Sequence, residues 1–269
     1  MSLPAEIESV GVACAHVLKT AEPLAKLMAA RAVARAWRQR RLAHRFDVAM
    51  PDRPARPEAP QLLPPNQMPK RGKIGSERAR VAMLHALAHI EFVAIDLAFD
   101  LIGRFGGEFP REFTDDWMRV GAEEAMHFAL LDRRLRQMGS GYGALPAHDG
   151  LWQAASETAH DAMARLAIVP MVLEARALDI TPATIERFEG AGDKHSGRML
   201  QRIMTDEIRH VAAGTTWFGH ATKRAGLHPA NHYQILVKRH FRGALKPPFN
   251  DSARRQAGLT LDFYSALAQ

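Results

Sequence analysis

Hydrophobic residues recur at the spacing of an α-helix along most of the chain, and no strand-like alternation of any length interrupts them. The pattern predicts an all-α protein built on four long helices. We expect them from about Ser76 to Arg104, Thr114 to Met138, Leu151 to Asp179 and Asp193 to Arg224. Polar N-cap residues before the first and last of these segments, and glycines after several of them, support the assignment.

Weaker signals predict shorter elements in the N-terminal part of the chain. Residues 5–46 should form two helices divided near residues 20–23, because Pro23 fits the first turn of a helix but not its interior. Prolines are dense between residues 51 and 69, and no helix tolerates that density. This segment is therefore expected to be an extended strap on the protein surface.

The C-terminal part contains its own proline signals. Pro170 predicts a kink in the third long helix. Thr181 followed by Pro182 predicts the start of a short separate helix that ends at Gly190. Two lesser helices should follow, near residues 229–241 and 252–268.

Two copies of a Glu-x-x-His motif lie in the apolar stripes of the second and fourth long helices, 83 residues apart. A lone glutamate stands 33 residues before the glutamate of each motif. Positions i and i+3 share one face of a helix, so each motif directs a carboxylate and an imidazole to the same side. The six candidate metal ligands are Glu91, Glu124, His127, Glu174, Glu207 and His210.

This order of carboxylates and imidazoles predicts a buried dinuclear metal centre. Carboxylates in a protein interior are costly without compensation, and two divalent cations would balance four of them. A mixed oxygen and nitrogen donor set favours two iron ions, with manganese as the alternative. The ligand order is that of ferritin-like four-helix bundles, in which two helix pairs contribute the two ligand sets.

The domain organisation follows from this bundle. The loop of residues 139–149 is long enough to serve as the crossover between the second and third helices. We predict an N-terminal basic helical segment at 1–50, a proline-rich strap or linker at 51–75, the ferritin-like four-helix bundle at 76–226 and C-terminal accessory helices at 227–269.

Two acids one turn before the histidines are candidates for the second shell of the centre. Glu123 and Asp206 each stand four residues before a candidate histidine ligand and could accept a hydrogen bond from a ligand imidazole. The alternative role is an ion pair with Arg209 or another surface cation.

Three further features look like ligands but are excluded by helical geometry. A third Glu-x-x-His, Glu157 to His160, lies 17 residues before Glu174, about 26 Å away along a continuous helix. His85 and His89 share a helix face with each other, but His89 lies about 200° around the helix from Glu91. A surface or structural role is expected for both histidines.

Composition bounds the remaining possibilities. The one cysteine, Cys14, excludes disulfides within the chain and cysteine-ligated iron–sulfur clusters. The chain shows no run of about 18 apolar residues and no basic signal segment at its start. We therefore expect a cytoplasmic protein that does not contact a membrane.

The formal net charge of +7 is concentrated in one segment. Seven cations and no acid lie between residues 23 and 46, and Arg31, Arg35, Arg38 and Arg45 recur at helical spacing as a basic stripe. One interpretation is a solvated helix face, or a helix packed on an acidic neighbour. The other is contact with the phosphates of tRNA or with another polyanion.

Five longer strings, at residues 85–91, 145–150, 173–176, 206–210 and 245–250, carry a resemblance to a known family. They resemble the ferritin-like family known as domain of unknown function 455. The resemblance runs from about residue 53 to residue 256 and implies a dinuclear metal site. The string Asp206 to His210 also looks like the Asp-Glu-x-Arg-His motif of bacterial di-iron monooxygenases, although Glu123 and Met126 depart from that motif in the first copy. The ligand order alone is distantly similar to that of di-iron tRNA hydroxylases.

The leading functional hypothesis is an oxygen-activating di-iron oxidoreductase or hydroxylase that receives electrons from an external donor. The alternatives are a non-enzymatic metal-binding or iron-handling protein and a tRNA-modifying hydroxylase. Accessory segments on both sides of the bundle argue against a ferritin-type shell, so a monomer or small homo-oligomer is expected.

Overall fold

The computed structural model describes residues 3–4, 6–69 and 75–268, and within these ranges the chain is helical without β-strands. The predicted all-α class is confirmed. The last part of the predicted strap or linker, residues 70–74, lies outside the described residues. The chain divides into two units, Met1–Gly150 and Leu151–Gln269.

The first unit is built on two long helices with two shorter helices against them. Its helices are α1 (Val10–Lys19), α2 (Pro23–Arg38), α3 (Glu77–Phe105) and α4 (Arg111–Gln137). The short connection between α3 and α4 makes them antiparallel neighbours, and they pack along each other. Helix α1 packs on α3, and α2 packs on α4.

The two long helices of the first unit lie close to their predicted bounds. Ser76 is the N-cap of α3, and its hydroxyl accepts a hydrogen bond from the Ala79 N–H at 3.2 Å, satisfying one of the free donors at a helix start. Helix α4 begins at Arg111, three residues before the predicted Thr114, with Pro110 as its N-cap.

Helix α3 is buried on nearly all sides because α1, α2 and α4 all contact it. The segment Glu77–Glu108 is long and apolar enough to cross a membrane, but 67% of its most apolar stretch is buried inside the protein. It also carries buried acids, among them Asp96 and Asp100. These features are those of a helix buried in a protein core, because a helix that is hydrophobic all round is accommodated in a core as readily as in lipid.

Helix α2 ends at Arg38 and does not continue to residue 46 as predicted. The Arg40 N–H donates to the Trp37 carbonyl at 2.9 Å, and the Arg41 N–H donates to the Ala36 carbonyl at 3.0 Å. This pair of bonds closes a helix when the residue after its cap adopts a left-handed conformation. Arg40 does so with φ of 58°, at a cost of about 1–2 kcal/mol that glycine would not incur.

The proline-rich strap is extended, as predicted, apart from a short 3-10 turn at Pro65–Gln67. Its backbone pairs with the loop that follows α4, because the Leu63 N–H donates to the Ala147 carbonyl at 2.8 Å and the Ala147 N–H donates to the Gln61 carbonyl at 3.0 Å. The strap and the loop therefore fasten each other within the first unit.

The second unit contains two helical stretches where one was predicted between residues 151 and 179. Helix α5 (Gly150–Glu157) ends before a turn at residues 158–161, and α6 (Ala162–Ile168) begins at the N-cap Asp161. A π-helical segment, Val169–Glu174, then leads directly into α7 (Ala175–Gly190). Where a kink was predicted at Pro170, the chain forms a wider, π-helical turn.

The predicted fourth long helix is α8 (Lys194–Arg224), with Asp193 as its N-cap. Helix α9 (Pro229–His240) also matches its prediction. The predicted helix at 252–268 is instead split into α10 (Asp251–Gln256) and α11 (Leu261–Tyr264). Gly258 lies between them with φ of 74°, a conformation that ends a right-handed helix.

The separate helix predicted to start at Pro182 does not exist, because α7 continues through this proline to Gly190. A proline inside a helix leaves the carbonyl four residues earlier without its usual donor. That carbonyl belongs to Leu178, and the side-chain amide of Asn250 donates to it at 3.2 Å. A contact from 72 residues further along the chain thus supplies the missing hydrogen bond.

The compensation can be measured with a double-mutant cycle. Replacing Asn250 with Ser keeps an N-cap side chain for α10 but removes the donor to Leu178, and we expect a loss of about 1–3 kcal/mol in the free energy of unfolding. In a Pro182→Ala background the backbone N–H of the substituted residue supplies the donor, so the same change should cost less than about 0.5 kcal/mol. Urea unfolding of the four proteins checks this. Equal costs in both backgrounds would contradict the role of Asn250.

Candidate metal centre

The first set of candidate ligands lies between α3 and α4. Glu91 projects from the middle of α3, and Glu124 and His127 project from adjacent turns of α4. All three are buried, with 6%, 1% and 0% of their surface exposed. The Nδ1 atom of His127 lies 3.4 Å from Oε2 of Glu91 and 3.3 Å from Oε2 of Glu124. The sequence-predicted i, i+3 geometry is therefore realised within this helix pair.

The spacing of these three side chains fits a metal ion. One ligand atom of each lies within 4.8 Å of the ligand atoms of the others. Two donors bonded to one ion at about 2.1 Å lie about 3.0 Å apart at a right angle and about 3.4 Å apart at a tetrahedral angle. The two distances from His127 Nδ1 fall in this range.

The electrostatic environment of His127 is that of a cation site. Burial alone would lower the pKa of His127, but the carboxylates of Glu124 and Glu91 outweigh burial and raise the pKa from 6.5 to about 11. Two carboxylates in a low-dielectric interior stabilise a positive charge between them. A metal cation can take the place of that proton, since metal binding competes with protons for the same ligand atoms.

The second set of candidate ligands belongs to the second unit. Glu207 and His210 lie on adjacent turns of α8 with 5% and 0% of their surface exposed, and His210 Nδ1 lies 3.5 Å from Glu207 Oε1. Glu174 is the last residue of the π-helical segment and is half-buried. The arrangement of Glu207 and His210 repeats that of Glu124 and His127, with the same ring nitrogen directed at the carboxylate of its own motif.

Glycines bring the helices of each pair close together beside the ligands. A Cβ atom on Gly121, one turn before Glu124, would lie 2.7 Å from the ring of Phe99 on α3. A Cβ atom on Gly214, one turn after His210, would lie 2.6 Å from Pro170 in the π-helical segment. Since both distances are shorter than a van der Waals contact, each glycine is needed for its helix pair to approach as closely as it does.

A buried group of two glutamates and one histidine in the first unit could bind a metal ion. Its donors are carboxylate oxygens and an imidazole nitrogen, a set that suits iron, manganese or zinc and does not by itself identify the metal. The three members are Glu91, Glu124 and His127.

The acids that precede the histidines differ in their environments. Asp206 is buried and accepts hydrogen bonds from Arg202 at 2.9 Å and from Arg209, so the ion pair that the sequence left open as an alternative is formed. Glu123 is half-buried on α4. A second-shell role for either acid stays a prediction.

The third Glu-x-x-His is solvent-exposed, so its exclusion as a ligand pair holds for a different reason from the one expected. Glu157 is the last residue of α5, and the chain turns before His160. The two side chains do not share a helix, and Glu157 pairs with Arg242 at 2.9 Å.

Two buried histidines on α3 hold the loop after α4 in place. His85 Nε2 accepts hydrogen bonds from the Gly143 N–H at 3.0 Å and the Leu145 N–H at 3.4 Å, and His89 Nδ1 lies 2.9 Å from the Tyr142 hydroxyl. Their role is structural, as one of the two sequence interpretations proposed. Burial is the main cause that lowers the pKa of His89 to about 3, so its imidazole is neutral at pH 7.

Comparison with known proteins identifies relatives of the chain. The family described as "Protein of unknown function (DUF455)" matches residues 19–265. A protein of Haemophilus influenzae, described as "Uncharacterized protein", is 41% identical over 210 residues, which are 76% of this chain and 73% of the relative. No solved structure matches the chain.

Proposed function

Because the chain belongs to the family described as "Protein of unknown function (DUF455)", a description that names no activity, we propose a function from its buried ligands: it is a di-iron oxidoreductase that activates dioxygen. The expectation that the chain belongs to this family is confirmed. The observation that carries the proposal is the buried Glu/His group on helices whose sequence repeats the same ligand pattern at one interval.

In this proposal the two ligand sets each hold one ion. Glu91, Glu124 and His127 hold the first, and the corresponding residues of the second unit hold the other. The arrangement proposed is that of a ferritin-like four-helix bundle, in which two helix pairs contribute to one centre. Four carboxylates balance the charge of two divalent cations, and two imidazoles complete a mixed donor set that favours iron, with manganese as the alternative. The second set consists of Glu174, Glu207 and His210.

The number of protein ligands is what favours catalysis over a purely structural metal site. Six side chains on two ions leave coordination positions for exogenous ligands, whereas a structural site is closed by protein donors. A bound ferrous pair supplies electrons for the reduction of dioxygen. The buried side chains orient the ions, and the apolar residues around Glu124 and His127 keep bulk water from the centre.

The proposed reaction needs an external electron donor. If one oxygen atom is inserted into a C–H bond of the substrate and the other leaves as water, each turnover consumes two electrons and two protons in addition to dioxygen. No cysteine cluster within the chain can supply the electrons, because Cys14 is alone and buried. A separate reductase is therefore part of the proposal.

Oxygen consumption tests this function. Apoprotein is loaded with ferrous iron under nitrogen, freed of unbound metal and mixed with oxygenated buffer in an oxygen electrode. We expect rapid uptake that is proportional to bound iron and becomes continuous when a reductant is added. The Glu157→Ala protein should behave like the parent. Uptake no faster than that of the same amount of free iron would contradict the proposal.

Iron loading separates the proposal from its main rival, an iron-storage or other non-enzymatic metal-binding protein. The oxidoreductase should stop at about two irons per chain and remain a monomer or small oligomer by light scattering. Continued iron uptake with a shell-sized mass would favour storage. Saturation at two irons without oxygen uptake would favour metal binding without catalysis.

A further inference from the structure

Five arginines form an exposed surface on α2 and on the turn after it. Arg31, Arg35 and Arg38 follow one face of α2, and Arg40 and Arg41 continue the surface beyond the helix. We call these five residues the arginine surface. All are exposed, and within the described residues none takes part in an ion pair. Of the sequence interpretations, a solvated helix face fits this exposure, and contact with a polyanion stays a prediction.

Arg45, the fourth member of the predicted stripe, does not belong to the arginine surface. Helix α2 ends before it, and its guanidinium pairs with Asp47 at 2.7 Å. Arg40 and Arg41, which follow the end of α2, take the place of Arg45 in the cationic surface.

The arginine surface stands on a rigid base. The opposite face of α2 is packed into the core of the first unit, where Ala30, Val33 and Trp37 are at most 1% exposed. The indole of Trp37 also donates a hydrogen bond to Asp115 of α4 at 2.7 Å. The backbone that carries the arginines is thus fixed before any partner binds, which reduces the entropy lost on binding.

Arg40 gives an independent sign that charge at this surface matters. It occupies the left-handed position at which glycine ends a helix without strain. A strained residue that persists in a place where glycine is easily accommodated points to a role outside folding. The side chain of Arg40 extends the exposed cationic surface past the end of α2.

We propose that the arginine surface binds the phosphodiester backbone of a nucleic acid. Arginine presents a planar fork of donors that matches two phosphate oxygens, and every cation of this surface is an arginine. From Arg31 to Arg38 the helix advances about 10 Å, enough to contact successive phosphates of one strand. This inference is independent of the proposed metal chemistry, because none of the five residues belongs to the candidate centre.

A protein partner and a membrane fit the arginine surface less well than a nucleic acid does. A protein partner would be expected to use an apolar or aromatic centre. The exposed large hydrophobic residue of α2, Leu24, lies in the first turn of the helix, about 10 Å along its axis from Arg31, so it is at the edge of the arginine surface and not at its centre. Insertion into a membrane requires the apolar face of a basic helix, and the apolar face of α2 is occupied by the core. Contacts to nucleic acids are polar and cationic throughout.

The test is fluorescence anisotropy with three labelled probes: a folded tRNA, a 20-nucleotide single-stranded RNA and a 20-base-pair DNA duplex. We expect the affinity for at least one probe to fall with salt with a logarithmic slope of about −3.5 for a single strand to about −4.5 for a duplex, as five phosphate contacts would give. The triple reversal Arg31→Glu, Arg35→Glu, Arg38→Glu should weaken binding at least about 30-fold at 100 mM salt.

A matched control changes the same charge elsewhere. Arg198, Lys223 and Arg239 are exposed residues of the second unit, and reversing all three should weaken binding less than about 3-fold. Arg40→Gly should weaken binding about 2- to 5-fold while leaving the melting temperature unchanged or higher, because the backbone strain is relieved. Circular dichroism confirms that each variant is folded.

Several results would overturn the proposal. They are the absence of salt-dependent binding to any probe, an equal loss in the control triple variant, and a loss of affinity in Arg40→Gly that is explained by a lower melting temperature. If polyglutamate at an equal concentration of charge displaces the nucleic acid, the arginine surface binds polyanions in general. Tighter binding to phosphatidylserine vesicles than to any nucleic acid would identify a membrane surface.

Discussion

The double variant Glu124→Ala, Glu207→Ala is expected to lose nearly all bound metal. Each substitution removes one buried carboxylate from one of the two proposed ions. Because even indirect supporting contacts of a metal site contribute about 10- to 100-fold to affinity, loss of a direct ligand from each ion should reduce iron from about two per chain to below about 0.2 after dialysis. Elemental analysis of the purified proteins measures this.

The chain provides its own control for this experiment. Glu157 belongs to a third Glu-x-x-His but is exposed and paired with Arg242, so Glu157→Ala should keep the metal content of the parent. Thermal unfolding distinguishes lost ligation from lost folding. The metal-free double variant should be less stable than the metal-free parent, because His127 and His210 each lose the carboxylate beside them. It should still unfold cooperatively, and added metal should no longer raise its melting temperature. Full metal content in the double variant would refute the ligand assignment.

The candidate ligands could be predicted from the sequence because their signal is local. A glutamate or histidine is rare in the middle of an apolar stripe, whichever element the stripe packs against. The i, i+3 spacing within each motif also places both side chains on one face even if the predicted helix ends are wrong by a few residues. The starts of α3 and α8 were equally predictable, since Ser76 and Asp193 accept hydrogen bonds from N–H groups only three residues away.

The errors in the predicted fold have long-range causes. Pro182 was expected to begin a helix. The carbonyl that it leaves without a donor belongs to Leu178, and Asn250, 72 residues after Leu178, donates to it. His85 was compatible with a surface role, but it is buried by a loop about 60 residues further along the chain. No pattern within one helix carries this information, because the compensating group belongs to another element.

A charge cluster on α3 also depends on contacts between distant parts of the chain. Asp96 is fully buried in the first unit and pairs with two cations, Lys26 of α2 and Arg56 of the strap. Lys26 is also fully buried and donates to the Ala55 carbonyl at 3.2 Å. Burial is the main cause that lowers the pKa of Lys26, while Asp96 opposes it. Asp96 is therefore the carboxylate that offsets the cost of burying the Lys26 ammonium.

Replacement of Asp96 with Asn should lower the free energy of unfolding by about 3–5 kcal/mol at pH 7, because it leaves a buried ammonium without its counter-ion. The matched control is Asp47→Asn, which breaks the exposed pair with Arg45 and should cost less than about 1 kcal/mol. Urea unfolding of both proteins measures the difference. A cost for Asp96→Asn as small as that of the control would show that the buried cluster does not hold α2 and the strap on α3.

The pH dependence of the Asp96→Asn protein tests the cause of its instability. Without the carboxylate, the folded-state pKa of Lys26 should fall further below the 10.5 of an unfolded chain. The unfolded state then binds more protons than the folded state, so stability rises with pH up to the unfolded pKa. The deficit relative to the parent should therefore shrink between pH 7 and pH 10. A deficit that stays constant over this range would point to lost packing or hydrogen bonding as the cause.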